Sequence, residues 1–447
     1  MSRISSEGRA FRRAFVIVVV ALAALSGVFL GLSYLQGPKL ATAVVDVAGV
    51  VEQSGQQVRL FANQPIAPVT PDQVTVSPAA TFSVSASGDV IAVQFEQRLD
   101  YATDYDVTIA GVRNPTGGQG ATLEYSFTTA SPTLYFLDRG EPDDVIYTTG
   151  IRGAERETAY RGRHIQDFVV MDDTLAVVSL TDERTSVIDV ITISSGLTER
   201  LTLPQEGIVT DLDAADTGRL MGFTLTGSST ELYTIDLDAN RVYRLATGLG
   251  GGPMHPLGWE FVPGTATLVA LGVDGALLAI DPADGAVTPL GRYQDFDRVS
   301  PDGAVVTLTD AQGSVAVTIA DGREQRVEIT AEEGTAGFLR DVSVLADGTR
   351  VEKVVVPNST GSAFVEQLRQ VDGARVLQLF STDGGTISDF EVSPNGQYVA
   401  VESVPNVASS VSDGYFADER STSVTTIIVD LDTGAVVRSM QGFRLSW

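Results

Sequence analysis

Five aspartates recur at one position of a repeated sequence pattern, and carboxylates in such a set can bind cations. Each precedes a tight turn by five or six residues, and they are Asp167, Asp211, Asp295, Asp341 and Asp389. Carboxylates brought together repel one another, and a cation, water or a basic partner group relieves the repulsion. Ca²⁺ is the metal ion whose preference for oxygen ligands they would suit. The alternative interpretation is structural, with each Asp capping a neighbouring loop through backbone N–H groups.

A second candidate is a recognition patch in two loops that hold the histidines of the chain. The segment YRGRHIQD carries Arg161, Arg163 and His164, and GLGGGPMHPLGWE carries His255 and Trp259. The alternative is that these are ordinary surface residues in turns, because the two loops fall in repeats that are not neighbours.

A third candidate is the long insertion PNVASSVSDGYFADERSTS at residues 405–423, which holds Tyr415 and Phe416 among polar residues. Long loops on a rigid scaffold often carry binding residues. A disordered excursion is the alternative.

Composition excludes several chemistries. There is no cysteine, so disulfides, thiol nucleophiles and thiolate metal sites are ruled out, and two histidines are too few for a multi-histidine zinc site. The net charge of −27, with no basic stripe beyond residue 13, argues against nucleic acid as a partner. No G-x-S-x-G nucleophile elbow occurs, and GLGGGP lacks the Gly-Lys-Ser/Thr ending of a phosphate loop. We therefore predict a protein without enzymatic activity or cofactor, Ca²⁺ being the one ion that would fit.

Repeated hairpins supply the elements that carry these residues. Clear copies are ELYTIDLDANRVYRL, ALLAIDPADGAVTPL and TTIIVDLDTGAVVRSM, each a strand, a turn of Asp, Gly or Asn and a second strand. A second repeated hairpin lies between them, so six complete four-stranded units can be written from His164 to Met440. An earlier hairpin lacks its innermost strand, and we predict that the final GFRLSW completes it and closes a ring.

The sequences VSPDG at Val299 and VSPNG at Val392, each followed by an alternating apolar strand, resemble the TolB-like propeller repeat, a relative of the WD-repeat family. The resemblance covers residues 131–447. It implies an all-β propeller and leaves the activity open, since propellers serve as binders, scaffolds and enzymes. The count of repeated hairpins predicts seven blades, six being the alternative.

Residues 44–130 form a different module, with six short alternating runs that are typical of half-buried strands in a β-sandwich. The run VIAVQFEQRLDYATDYDVTIAGV and the closing YSFTT resemble the bacterial Ig-like domain of S-layer and other surface proteins. The resemblance implies that Leu99, Tyr105 and Phe127 are core residues and that the domain serves as a spacer.

The N-terminal region carries an apolar run from residue 14 to residue 35 without a charge, enough for a helix to cross a hydrocarbon core of about 30 Å. Four arginines precede it, so the positive-inside rule predicts a cytoplasmic tail at 1–13 and, after a linker at 36–43, folded domains outside the plasma membrane. A cleaved signal peptide is the alternative, since Ala41 and Ala43 form an A-x-A pattern.

Together these features predict a single-pass membrane-anchored binding or scaffolding protein of the bacterial cell envelope. Its partners would be the lipid bilayer, through the helix, and an envelope protein, peptide or glycan at the propeller face, with no nucleic acid. The alternatives are a propeller hydrolase or lyase acting at the channel mouth, and the ectodomain of a membrane sensor or assembly complex.

Overall fold

The computed structural model describes residues 7–35, 37–153, 155–239, 241–329, 337–358 and 360–447, and within the first of these ranges it describes side chains from residue 11 to residue 26. The chain divides into two compact units, Met1–Ala130 and Ser131–Trp447.

The first unit begins with helix α1, Glu7–Leu35, whose described side chains are exposed. Among the residues with a described position, no helix combines the length and the apolar character that a membrane span requires. The side chains of residues 27–35, the second part of the sequence-predicted span, lie outside the described residues.

The rest of the first unit is built from two antiparallel sheets. Its strands are β1 (Leu40–Val44), β2 (Gln57–Ala62), β3 (Val74–Ser77), β4 (Phe82–Ser87), β5 (Val90–Phe95), β6 (Asp104–Val112) and β7 (Ala121–Thr128), with a short helix α2 (Gly49–Glu52) and a 3₁₀ turn (Pro71–Gln73) in the connections. The strand orders are β1-β2-β5-β4 and β3-β6-β7.

The two sheets share one core because every second side chain points inwards. Phe95 of the first sheet and Phe127 of the second lie 6.5 Å apart between ring centroids, and Tyr105 stacks on Phe127 at 5.8 Å. Leu99 is also buried. The three side chains expected in the core are therefore there.

The second unit is formed almost entirely of β-strands. In chain order they are β8 (Thr133–Asp138), β9 (Asp144–Gly150), β10 (Arg156–Gly162), β11 (Ile165–Met171), β12 (Thr174–Leu180), β13 (Ser186–Thr192), β14 (Leu197–Leu201), β15 (Ile208–Ala214), β16 (Leu220–Thr226), β17 (Thr230–Asp236), β18 (Tyr243–Leu245), β19 (Pro256–Phe261), β20 (Leu268–Gly272), β21 (Ala276–Ile280), β22 (Val287–Arg292), β23 (Asp295–Val299), β24 (Val305–Asp310), β25 (Gly313–Thr318), β26 (Glu324–Arg326), β27 (Phe338–Val344), β28 (Arg350–Pro357), β29 (Phe364–Asp372), β30 (Arg375–Ser381), β31 (Thr386–Val392), β32 (Tyr398–Val404), β33 (Thr425–Asp430), β34 (Val436–Gln441) and β35 (Phe443–Ser446). A 3₁₀ turn, Val407–Ser409, lies between β32 and β33.

Within the described residues these strands make seven four-stranded antiparallel sheets. Sheet 1 has the order β10-β9-β8-β35, and each later sheet is four consecutive strands: β11–β14 in sheet 2, β15–β18 in sheet 3, β19–β22 in sheet 4, β23–β26 in sheet 5, β27–β30 in sheet 6 and β31–β34 in sheet 7.

The hairpin turns form where the sequence predicts them. In DPADG the side chain of Asp281 accepts a hydrogen bond from the N–H of Ala283, and Gly285 adopts a φ of 75°. That left-handed conformation strongly favours glycine, so the turn residues fix the register of β21 and β22.

Apolar side chains fill the space between neighbouring sheets. One cluster joins sheets 2 and 3 through Val178, Ile188, Met221 and Phe223, and equivalent clusters lie between the following pairs of sheets. The first strand of one sheet also contacts the first strand of the next, as β11 contacts β15. A series of four-stranded sheets with adjacent inner strands is a β-propeller.

The C-terminal strand joins the two ends of the unit. In the pairing of β35 with β8, Phe443 lies opposite Leu137 and Ser446 opposite Tyr135. Both Phe443 and Leu445 are buried. GFRLSW thus supplies the inner strand that the first hairpin lacks, as the sequence predicts.

Candidate functional site

The five sequence-predicted aspartates all lie on the inner strands of sheets 2, 3, 5, 6 and 7. Three of them bond locally: the carboxylates of Asp167, Asp295 and Asp389 accept from the N–H of the next residue at 2.9, 3.0 and 2.8 Å. In sheet 3 it is Asp213, not the predicted Asp211, whose carboxylate accepts from the N–H of the next residue, Ala214, at 2.8 Å. Asp211 itself is exposed and has a φ of 48°. Local hydrogen bonding to the backbone therefore accounts for three of the five aspartates, Asp167, Asp295 and Asp389.

Two of the aspartates are held by one arginine that the sequence analysis missed. Arg298 of β23 donates through Nε to Asp341 at 3.1 Å, and its Nη2 lies 3.3 Å from Asp389. It also donates to the carbonyl of Phe390 and lies over that ring, 4.0 Å from the centroid. Arg298 thus ties the inner strands of sheets 5, 6 and 7 together across the channel.

Asp167 faces a second missed arginine, Arg444 of the closing strand β35. The two side chains form an ion pair at 3.6 Å. Arg444 has a φ of 53° at a register shift in β35, which turns its side chain away from the regular ladder. Burial raises the pKa of Asp167, with Arg444 opposing the shift.

These inner strands line a cavity of about 320 Å³ in the channel. Six carboxylates and one arginine line it, and they are Asp167, Asp213, Asp216, Asp389, Glu391, Glu402 and Arg444. We call this space the channel cavity. Within the described ranges no three acidic, histidine or cysteine side chains come close enough together to hold a metal ion.

Loss of hydration in the channel cavity changes the proton affinity of its carboxylates. Burial raises the pKa of Asp213 to about 6, against the N–H groups of Phe261 and Ala214 that lower it. The side chain of Glu391 is exposed and lines the channel cavity. Partial loss of hydration among the surrounding residues and the nearby Asp389 raise its pKa to about 8, and Arg298 opposes this shift.

A second cavity, of about 410 Å³, is built from loops at the junction of sheets 7, 1 and 2. Four loops contribute: those between β8 and β9, between β10 and β11, between β12 and β13, and the insertion before β33. Four of the seven recognition residues predicted from the sequence line it, namely Arg163, His164, Tyr415 and Phe416. We call it the loop pocket.

The insertion is fixed in place by a buried network. Tyr415 donates its hydroxyl to Asp144 at 2.5 Å, and the guanidinium of Arg139 lies 4.2 Å from the Tyr415 ring centroid. Arg139 also pairs with Asp413 at 2.8 Å, where both side chains are buried. The insertion is therefore a packed part of the propeller, and the interpretation of it as a disordered excursion is wrong.

The insertion also forms one wall of the loop pocket with exposed groups. The guanidinium of Arg184 lies 4.8 Å from the ring centroid of Phe416, which is exposed, and His164 packs edge-on against Tyr415 at 5.8 Å. Arg163 and His164 are both exposed. The pocket thus presents an aromatic face, two arginines and a histidine to solvent.

The other three recognition residues lie elsewhere. Arg161 is exposed at the end of β10, and His255 is exposed with its Nδ1 2.7 Å from the carbonyl oxygen of Thr230. Trp259 is a correction: it lies in strand β19, is 4% exposed and donates to the Thr224 hydroxyl at 2.9 Å. The apolar ring fills the space above Gly222, so it is a core residue and does not belong to a recognition loop.

Sequence alignment of the two SPxG repeats could have revealed part of the channel. Val299 and Val392 occupy the same register, opposite Val306 and Val399, so the preceding residues Arg298 and Glu391 are equivalent inner-strand positions. Arg444 carried no such signal, because β35 is four residues long and has no hairpin partner in sequence.

Comparisons with known proteins support no family assignment. No family model matches the chain, and no curated protein matches it. Among solved structures, TolB from Acinetobacter baumannii is 14% identical with a TM-score of 0.40, over 83% of this chain and 81% of that one. The β-propeller domain of Cps50 (Swd1) from Myceliophteria thermophila is 12% identical, with a TM-score of 0.40 over 64% of this chain and 89% of that one. Dihydro-heme d1 dehydrogenase NirN is 13% identical, with a TM-score of 0.42 over 70% of this chain and 74% of that one.

Proposed function

We propose that this chain is a membrane-anchored binding or scaffolding protein of the bacterial cell envelope, which recognises a protein, peptide or glycan at the loop pocket without turnover. The loop pocket is the observation that carries the proposal. It combines an exposed aromatic ring, cationic side chains and a volume of about 410 Å³ on loops that a buried network holds in place. Rigid loops lose little conformational entropy when a partner binds.

The rest of the chain fits this role. We take the seven sheets to be the blades of a seven-bladed propeller, and the first unit to be a spacer of the Ig-like kind. Helix α1 would be the anchor, because the uncharged run from residue 14 to residue 35 lies within it and its described apolar side chains are exposed, Phe15 by 60% and Ile17 by 67%. The folded units would then lie outside the cytoplasm.

Site-specific photocrosslinking tests the recognition site. A photoreactive phenylalanine analogue replaces Phe416 in the full chain, expressed in the native cells, and a matched protein carries it at Leu197, which is 70% exposed on β14. We expect a discrete adduct from position 416 that weakens when Arg184→Ala is added. Absence of an adduct at 416, or the same adducts at 197, would overturn the proposed site.

Fractionation tests the anchor. The full chain should sediment with membranes and resist extraction by carbonate, and added protease should digest residues 44–447 in spheroplasts. Deletion of residues 1–36 should release the protein from the membrane fraction. Recovery of the full chain in the soluble fraction would refute the anchor and leave the recognition site to be judged by its own test.

A further inference from the structure

The channel cavity is a second site, separate from the loop pocket in its lining. Its walls are the inner strands β11, β15 and β31, the second strand β32 and the closing strand β35. The carboxylates on these walls outnumber the single lining arginine, so the cavity carries an excess of negative charge.

Most of these carboxylates already have partners. Asp213 accepts from the N–H groups of Ala214 and Phe261, both at 2.8 Å. Glu402 accepts from the N–H of Arg444 at 2.6 Å and lies 3.5 Å from Arg420. The carboxylates of Asp213 and Glu402 therefore already link neighbouring strands through hydrogen bonds.

Two carboxylates of the channel cavity, Asp167 and Glu391, are less completely hydrogen-bonded. Asp167 is 6% exposed, and its Oδ2 has no hydrogen-bond partner among the described residues, the nearest cation being Arg444 at 3.6 Å. The side chain of Glu391 makes no hydrogen bond or ion pair with any residue that the structure describes, although it lines the same cavity. A buried acceptor without a donor, such as Oδ2 of Asp167, destabilises the folded state, and more strongly when it is charged.

Unpartnered donors lie beside these acceptors. Nε of Arg444 and the indole Nε1 of Trp447 are buried without a hydrogen-bond partner among the described residues, and both side chains line the channel cavity. Trp447 is held in position by stacking on Tyr398, with ring centroids 6.5 Å apart and planes inclined by 10°. The cavity thus offers strong acceptors and two fixed donors.

A cationic group with its own hydrogens satisfies this set better than a metal ion. A metal needs several ligand oxygens converging within about 2.6 Å of one point, and no such group of three exists in the described part of the chain. An ammonium or guanidinium group donates several hydrogen bonds of about 2.8 Å in different directions. It can therefore bind carboxylates that do not point towards one common centre.

We propose that the channel cavity binds an alkylammonium or guanidinium group, held by Asp167 and Glu391, with a neighbouring acceptor of the same ligand facing Arg444 Nε and Trp447 Nε1. A free small amine or the Lys or Arg side chain of a peptide carries this chemistry. The cavity of about 320 Å³ accommodates either. The raised pKa of Glu391 is consistent with the site, because burial and the nearby Asp389 raise it more than Arg298 lowers it.

Calorimetric titration of the full chain in detergent, at about pH 8.5 and low salt, tests the proposal. The probes are agmatine, with uncharged 1,4-butanediol as its control, and a blocked Gly-Lys-Gly tripeptide, with the Gly-norleucine-Gly peptide as its control. Binding of agmatine alone indicates a free amine, and binding of the lysine peptide alone indicates a partner side chain.

Glu391→Gln is the decisive variant, and it should weaken binding roughly tenfold or more, the loss expected for one charged hydrogen bond. Because Glu391 has no partner to lose, the unfolding temperature of this variant should equal or exceed that of the wild type. Glu157→Gln, exposed on β10, removes the same charge away from the channel and should bind like the wild type.

Three outcomes would overturn the proposal. The first is no saturable binding of either cationic probe at millimolar concentration. The second is equal binding by the wild type and Glu391→Gln. The third is saturable binding of Ca²⁺ with none of either cationic probe.

Discussion

The side chain of Glu260 links sheets 4 and 5 and loses hydration in doing so. Its carboxylate, on β19, accepts from the N–H of Val299 on β23 at 2.7 Å. Burial raises its pKa from about 4.5 to about 8, and Asp213 adds to the shift while the Val299 N–H and Arg298 oppose it. One inter-sheet hydrogen bond is therefore paired with a carboxyl group that prefers to be protonated.

The stability of the protein should fall with rising pH because of this group. Between about pH 4.5 and pH 8 the folded state binds more protons at Glu260 than the unfolded state does, so its contribution is present at low pH and lost as pH approaches 8. We expect Glu260→Gln, which keeps an acceptor for Val299, to flatten the decline in unfolding temperature between pH 5 and pH 8.5. Calorimetry on both proteins measures it, and Glu157→Gln serves as the exposed control. Identical slopes in Glu260→Gln and the wild type would contradict this account.

Gly222 lies against the ring of the buried residue Trp259 and has no side chain to displace it. A Cβ at this position would lie 2.6 Å from the Trp259 ring. We expect Gly222→Ala to lower the free energy of unfolding by about 1–3 kcal/mol, the usual range for overpacking a core. Urea denaturation measures it, and Gly252→Ala, where a Cβ meets nothing within 4 Å, should change little. A stable Gly222→Ala protein would show that Trp259 moves freely.

At the scale of elements, local sequence predicted the hairpins well and the channel contacts poorly. Alternating apolar residues and Asp/Gly turns fix strands such as β21 and β22 within a few neighbouring positions. The pairing of Arg298 with Asp341 and Asp389 depends on inner strands from three sheets, and the burial of Trp259 depends on a glycine in the preceding sheet. Such contacts arise only when the sheets assemble, so no local pattern encodes them. The insertion was recognised by its length, but its attachment to Arg139 and Asp144 required the tertiary structure.

The closing strand should contribute strongly to stability. Phe443 is 1% exposed and is flanked by the guanidinium groups of Arg139 and Arg420, 4.9 and 5.1 Å from its ring centroid. We expect Phe443→Ala to destabilise the protein by about 3–5 kcal/mol through the cavity that it leaves. The urea midpoint should drop sharply, whereas Leu197→Ala, at an exposed position, should leave it unchanged. An unchanged midpoint for Phe443→Ala would mean that β35 is dispensable for the fold.

At the scale of the whole molecule, a net charge of −27 opposes compaction through self-repulsion. Arg298 and Arg444 reduce this repulsion in the channel by pairing with Asp341, Asp389 and Asp167. Exposed salt bridges with a single contact, such as Arg323 with Asp321, contribute little because water screens them.

Added salt should therefore stabilise the protein. Raising NaCl from about 20 mM to about 200 mM shortens the screening length from roughly 20 Å to roughly 7 Å, which weakens long-range repulsion more than short ion pairs. We expect the unfolding temperature at pH 8 to rise by a few degrees, and the rise to shrink at pH 5, where fewer carboxylates are charged. A fall in unfolding temperature with salt at pH 8 would show that ion pairs outweigh the repulsion.

The position of β35 also bears on biosynthesis. Its partner β8 lies roughly 300 residues earlier in the chain, so the inner edge of β8 stays uncovered until β35 has been synthesised. Until then an exposed strand edge can pair with other chains, which favours aggregation. A chain that lacks β35 would keep this edge open even with all the other strands present. Such a chain would therefore be more exposed to aggregation and to proteases than the chain that contains β35.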